Sequence, residues 1–267
     1  MPMQPLLPRQ MDILDIARRE GRVDVESLAV RFDVTPQTIR KDLNDLCGLD
    51  KLHRVHGGAV FPSDTVNLAY QSRRGIAADG KARIGRVAAE RIPDGASLIL
   101  NIGTTTEQVA HALCRHERLM AITNNLNVAT ILSGAPGVEL VVSGGMVRKS
   151  DGGIVGAAAV DLIRQFKVDY AVIGASAIDE EGALLDFDYR EVRVAQAILG
   201  QARQKILVAD TTKFERRAPV QIGHLSAIDT FITDTQPPEV IVDLCHASEV
   251  ELVIADDVNE TSAGDDA

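Results

Sequence analysis

Two stretches of this 267-residue chain carry side chains whose types and spacing suit contacts with phosphates. In N-I-G-T-T-T at 101–106, Gly103 lets a ligand approach the backbone, and Thr104, Thr105 and Thr106 supply hydroxyls. A helix starting there would add free N–H groups and positive potential, completing a phosphate cradle. Lys213, in D-T-T-K-F just past an apolar run, can set a single ammonium over the same anion. Asn124 and Asn125 in T-N-N suit ligand hydroxyls, while Gly144, Gly145 and Gly174 in S-G-G and G-A-S leave room beside main chain. Together they suit a small polyol phosphate. Each is equally an ordinary strand-to-helix turn, because Thr and Asn also cap helices for purely structural reasons.

The second stretch, T-P-Q-T-I-R-K-D-L-N-D-L at 35–46, asks for two partners at once. Thr35 caps a helix with Pro36 at its first position. Ile39, Leu43 and Leu46 make one apolar stripe. Gln37, Thr38, Arg40 and Lys41 fall on the other face, able to meet base edges and phosphates in a DNA major groove. A solvated surface helix has the same look, so its surroundings matter. Residues 25–32 read as a short helix after Asp24, and Asp33-Val34 turns tightly into Thr35, which makes a helix-turn-helix. A first helix spans 10–20. Residues 51–60, with Gly57-Gly58 as a hairpin turn, form a wing in which Arg54 and His56 can reach phosphate, although His53 and His56 serve structure equally well.

The phosphate-binding set needs a different scaffold. Residues 61–80 lack periodicity and read as an interdomain linker, after which a helix resumes over 81–91. Short apolar runs follow at 98–101, 120–123, 139–143, 169–173, 205–209, 231–233 and 251–254, alternating with helical patterns. Continuous rather than alternating apolar strands indicate a parallel α/β sheet covered on both faces, with ligands at the carboxyl ends of its strands. The expected fold class is therefore α/β: a winged helix-turn-helix domain over 1–60, the linker, and a Rossmann-like effector-binding domain over 81–255. Residues 256–267 form an acidic tail expected to be disordered.

Composition narrows the alternatives. The net charge of −10 lies entirely beyond residue 60, since residues 1–60 hold nine Lys/Arg against nine Asp/Glu. A neutral domain of that kind binds DNA only if its cations share a face, and dimerisation helps. No apolar run reaches the ~20 residues of a membrane span, and the first residues lack a secretory core. A cytoplasmic location is expected. Cys47, Cys114 and Cys245 are scattered and odd in number, which argues against a disulfide framework or zinc site. No cofactor or metal is expected.

The pattern L-A-V-R-F-D-V-T-P-Q-T-I-R-K-D-L-N-D-L followed by R-V-H-G-G-A-V resembles the DeoR family of bacterial transcriptional regulators. The likeness continues through I-G-T-T-T, T-N-N-L-N-V-A, S-D-G-G-I-V-G and D-F-D-Y-R-E-V, covering nearly the whole chain. It implies a repressor that binds double-stranded operator DNA as a homodimer or homotetramer and is released by a phosphorylated effector, glycerol 3-phosphate. It also implies a sensor sheet similar to ribose-5-phosphate isomerase and CoA-transferases, with residues 103–106 and Lys213 at the phosphate. Arg148, Asp151, Asp186, Asp188, Arg190 and Glu191 then lie near the pocket, where they bind the effector (Asp151), order a lid or transmit the signal. Two alternatives stand beside this reading. One changes the ligand to another sugar phosphate; the other makes the domain an isomerase, with a base among Asp179, Glu180 and Glu181.

Overall fold

The computed structural model describes residues 6–255 apart from 21, 50, 56 and 61–69. The chain divides into two compact units, Met1–Val66 and Asn67–Ala267. The tail at 256–267 lies outside the described residues.

The first unit contains α1 (Pro8–Glu20), β1 (Arg22–Asp24), α2 (Val25–Arg31), α3 (Pro36–Gly48), β2 (His53–Val55) and β3 (Gly58–Val60). Asp24 caps α2 by accepting from the Ser27 N–H at 2.8 Å. Ile13, Ala17, Leu28, Ile39, Leu43, Leu46 and Leu52 close a core among the three helices and the sheet. That sheet has three strands in the order β1-β3-β2, so the wing includes a strand that the sequence reading lacks. Three residues are too few to show a period. The hairpin also turns differently from expectation. Of the two glycines only Gly57 sits in the turn, at φ 77°; Gly58 opens β3, where a Cβ would meet the Val23 carbonyl oxygen at 2.0 Å.

In chain order the second unit has α4 (Tyr70–Gly75), α5 (Ala78–Glu90), β4 (Ser97–Leu100), α6 (Thr104–Leu113), β5 (Leu119–Thr123), α7 (Leu126–Leu132), β6 (Val138–Val142), β7 (Met146–Val147), β8 (Ile154–Val155), α8 (Ala157–Ile163) and β9 (Val168–Ile173). Then come β10 (Ala177–Ile178), β11 (Ala183–Asp186), α9 (Tyr189–Gln201), β12 (Ala202–Val208), β13 (Val220–His224), β14 (Thr230–Thr233), α10 (Glu239–Ala247) and β15 (Glu251–Ile254). All seven apolar runs become strands of one parallel sheet, ordered β15-β14-β12-β9-β4-β5-β6. Successive strand residues feed opposite cores. Ile99, Ala171 and Leu207 pack under α8, α9 and α10, while Leu98, Leu100, Val172 and Ile206 pack under α5, α6 and α7.

The chain lays down β4, β5 and β6 outward, then crosses back to place β9 on the other side of β4. The order therefore reverses between β4 and β9, which opens a crevice at their carboxyl ends. Two small additions go beyond the sequence reading: the β7–β8 ribbon, and an antiparallel β10-β11-β13 sheet, in which β13 joins the segment around 177–182 that the sequence reads as a hairpin or loop. The expected linker is also shorter than 61–80. Residues 70–75 are helical because polar anchors hold them, not an apolar stripe. The Tyr70 hydroxyl lies 2.8 Å from the Glu107 carboxylate, and Lys81 Nζ donates to the carbonyls of Arg73 and Ile76 at 2.6 Å each. Among the described residues no helix is long and apolar enough to cross a membrane.

Candidate functional site

In the first unit α3 separates its two faces cleanly. Thr35 caps it, accepting from the Thr38 N–H at 3.3 Å and sharing a 2.9 Å hydroxyl contact with the same residue. Ile39, Leu43 and Leu46 are fully buried. Gln37, Arg40 and Lys41 are exposed and Thr38 half-buried. Asp42, the acid on the buried side, is held by Arg9 Nε at 2.6 Å. Arg40 pairs with Glu26 at 3.8 Å with both groups exposed, a contact weak enough to give way to a phosphate. Arg54 is exposed in the wing and donates to the Gly58 carbonyl across the hairpin. His56 lies outside the described residues.

In the second unit the carboxyl ends of the parallel strands gather polar groups. After β4 the chain turns at Gly103, φ 154°, straight into α6, whose first turn has no side-chain cap. Thr104, Thr105 and Thr106 are all buried there. The Thr106 hydroxyl is engaged with the carbonyls of Gly103 at 2.7 Å and Asn101 at 2.9 Å, so it closes the loop and is not a free donor. Asn125 caps α7 through Oδ1, and Asn124 Nδ2 donates to the Ile154 carbonyl at 3.2 Å. Four other buried atoms on this edge have no hydrogen-bond partner: Asn101 Oδ1, Asn124 Oδ1, Asn125 Nδ2 and Ser143 Oγ. Burying such an atom unpaired costs about 1–3 kcal/mol, so a row of them is poised for a polar ligand.

The cations stand at the end of β12. Asp210 caps a short 3-10 turn, Thr211–Glu215, that carries Lys213. Lys213 Nζ lies 3.9 Å and Lys81 Nζ 3.7 Å from Asp210 Oδ2. Burial and the neighbouring Arg216, Lys81 and Arg73 push Lys213 down to about 8 despite Asp210. Burial also lowers Lys81 and Arg216, each further depressed by Arg73. Burial would raise Asp210, but Lys213 and Lys81 hold it below the usual carboxylate value. Lys213, Lys81 and Arg216 thus gather about Asp210, with Arg73, itself held by Asp151, close enough to lower all three, a concentration of positive charge that suits a phosphate dianion. Of the four, sequence reasoning named only Lys213. Lys81 was findable: it falls three residues before Ile84 and seven before Ala88, a lysine on an apolar stripe, and is 2% exposed.

Other expected ligands do different work. Both Asp151 oxygens are engaged by Arg148, at 2.8 and 2.7 Å, and one also by Arg73 at 3.3 Å, so Asp151 holds arginines and is not offered to a ligand. Arg148 further contacts Asp188 at 3.2 Å and Glu191. Arg190 holds Asp188 down to about 2, whereas burial and Asp186 push Glu191 up to about 8. Gly144 and Gly145 are exposed. Gly145, at φ 140°, is required by the ribbon, since a Cβ would meet the Val155 carbonyl oxygen at 2.9 Å. Gly174 ends β9 at the crevice, where a methyl group would touch only the Val208 carbonyl oxygen at 3.6 Å. The structure therefore brings residues 103–106, Asn124, Asn125, Gly174 and Lys213 to one edge. Glu180 and Glu181 are exposed in the β10–β11 turn, and Asp179 Oδ1 accepts from the N–H groups of Glu181 and Ala183, which leaves an isomerase without a base from that segment.

Residues 9–65 match the family model described as the DeoR-like helix-turn-helix domain, and residues 76–235 that of the DeoR C terminal sensor domain. The glycerol-3-phosphate regulon repressor of Escherichia coli (strain K12) is 42% identical over 244 residues, which is 91% of this chain and 97% of that protein. Its counterpart in Haemophilus influenzae is 44% identical over 92% of this chain and 96% of its own. The HTH-type transcriptional repressor CsqR of E. coli is 36% identical over 92% and 95%. Among solved structures, ribose 5-phosphate isomerase A from Methanocaldococcus jannaschii overlaps 52% of this chain and 55% of that one at 16% identity and a TM-score of 0.39, too loose a superposition to add to the fold described above.

Proposed function

The chain belongs to the DeoR family of transcriptional regulators, and we propose that it represses genes of glycerol and glycerol 3-phosphate metabolism until that effector releases it from operator DNA. In this reading α3 enters the major groove. Gln37, Thr38, Arg40 and Lys41 meet bases and phosphates, Thr35 meets the backbone, and Arg54 and His56 follow it from the wing. Two copies or more of the chain engage paired half-sites, and the protein works in the cytoplasm, where its DNA is. The effector's phosphate sits among Lys213, Lys81, Arg73 and Arg216, near the α6 N-terminus, and its hydroxyls meet the unpaired atoms of Asn101, Asn124 and Asn125.

The observation that supports the effector class is the cluster of Lys213, Lys81, Arg216 and Arg73 beside Asp210 at the carboxyl edge of a doubly wound sheet. A longer sugar phosphate is a second reading, favoured by the reach of the unpaired atoms. Asn101 follows β4, two strands from β12, which is roughly 10 Å at about 4.8 Å per strand.

Fluorescence anisotropy on promoter DNA upstream of glycerol-utilisation genes, titrated with glycerol 3-phosphate at fixed salt, tests the proposal. Specific binding that the ligand relieves is the expected result. Specific binding that only a hexose or pentose phosphate relieves would replace the effector and keep the regulator.

A further inference from the structure

The same site contains a guanidinium whose contacts are uneven. Arg73 lies on α4, the first described element of the sensor unit and therefore the point at which the chain from the DNA-binding unit enters it. Its side chain is 14% exposed and reaches Asp151 through one nitrogen at 3.3 Å. That carboxylate is already held by Arg148 with two shorter contacts, at 2.8 and 2.7 Å, so Arg73 is the weaker partner. Arg73 Nε is buried with no hydrogen-bond partner. Lys81, Lys213 and Arg216 stand close enough to register its charge. The guanidinium thus sits in a field of like charge, is loosely held by Asp151, and has an N–H unspent. A planar fork in that position can take two phosphate oxygens at once, where a lysine supplies only a point charge.

Resting on the effector reading above, we propose that Arg73 exchanges Asp151 for the effector's phosphate, and that the shift of α4 that follows is what lowers DNA affinity. The remaining anchors of α4 make it able to respond as a unit. Tyr70 fastens its start to Glu107 of α6, at 2.9 and 2.8 Å, and Lys81 Nζ holds the Arg73 and Ile76 carbonyls at its end. The phosphate site and the helix thus share Lys81 as well as Arg73. Moving an equilibrium requires that the ligand make different contacts in the two states, and the Arg73 exchange supplies such a difference.

Two variants separate relay from binding. Arg73→Gln removes the exchanging group, and Tyr70→Phe unhitches α4 without touching any cation. For each, the dissociation constant for glycerol 3-phosphate is measured by thermal shift, and the operator dissociation constant by anisotropy with and without saturating glycerol 3-phosphate. Arg73→Gln is expected to bind the ligand about ten-fold more weakly, one charge-assisted contact being lost, and to stay on the operator at saturating ligand. Tyr70→Phe is expected to keep ligand affinity within about two-fold while the ligand-induced loss of operator affinity shrinks several-fold, because coupling is read separately from binding. Wild-type-sized release of operator by both variants at saturating ligand would overturn the relay and leave the effector site standing. Failure of the wild-type protein itself to bind any phosphorylated polyol would instead remove the effector reading.

Discussion

In the proposed effector site, burial sets the charge state of Lys213. Its ordinary value of 10.5 falls to about 8, chiefly through burial, with the neighbouring cations adding to the shift. The ammonium of the effector-free protein is therefore intact below about 8 and is lost as pH rises through it. A phosphomonoester is a dianion above its second ionisation near about 6. Effector affinity should accordingly hold level between about 6 and 8 and fall above, as titration calorimetry at pH 7 and pH 9 would record. Lys213→Arg keeps its charge at both values, so it should flatten the profile. The same sign predicts that effector-free protein gains stability over that rise, because a lysine held below its unfolded value opposes folding only while charged. Lys213→Ala should leave operator binding intact and abolish release. Arg40→Ala should do the reverse, losing about 1–3 kcal/mol of operator affinity while the ligand still raises the melting temperature. A variant failing in both assays has merely unfolded.

At the scale of elements, the recognition helix and the wing depend on different local facts. Thr35 is the cap of α3, and Thr35→Ala should cost about 1 kcal/mol of stability in a denaturant titration of the protein. The wing depends on close approach. A side chain at Gly58 would strike the Val23 carbonyl at 2.0 Å, so Gly58→Ala should destabilise the first unit by about 1–3 kcal/mol and weaken operator binding with it. Gly57→Ala strains only the turn conformation and finds open space, so its effect should be smaller. In the sensor unit β4 and β9 do the equivalent work, since the reversal of strand order between them fixes where the crevice opens.

At the scale of the whole molecule, the two activities are bound by linkage. If glycerol 3-phosphate lowers operator affinity by some factor, operator DNA must lower glycerol 3-phosphate affinity by the same factor, on the order of 5–150-fold for a typical regulator. Measuring both legs of that cycle on one preparation is the check, and unequal factors would mean that the two ligands do not share one equilibrium. The charge distribution adds an expectation about salt. With nine cations balanced by nine acids in residues 1–60, steering toward DNA comes from the placement of Arg40 and Lys41 and not from net charge. Operator affinity should then fall with salt only as steeply as the number of phosphates contacted, and the slope of log K against log salt counts them.

The sequence by itself determined the helix-turn-helix and the seven-stranded parallel sheet, because both are written in local periodicity. The stripe Ile39, Leu43, Leu46 and the short apolar runs can bury themselves in few other ways. It also placed Gly103, Asn124, Asn125 and Lys213 at one edge of that sheet, because residues at strand ends converge in any parallel sheet. Tertiary structure alone decided the rest. Arg73 sits in a stretch without periodicity, and its meaning comes from Asp151, 78 residues away. Thr106 and Asp151 look like ligand groups until their partners are seen, since a hydroxyl or carboxylate reveals nothing in sequence about whether the fold has already used it. β1, β7, β8 and β10 are too short to show a pattern and exist only because neighbouring strands complete their hydrogen bonds. Periodicity reports what a segment buries, whereas a polar site is made by which distant charges are left without partners, and only the folded chain sets that balance.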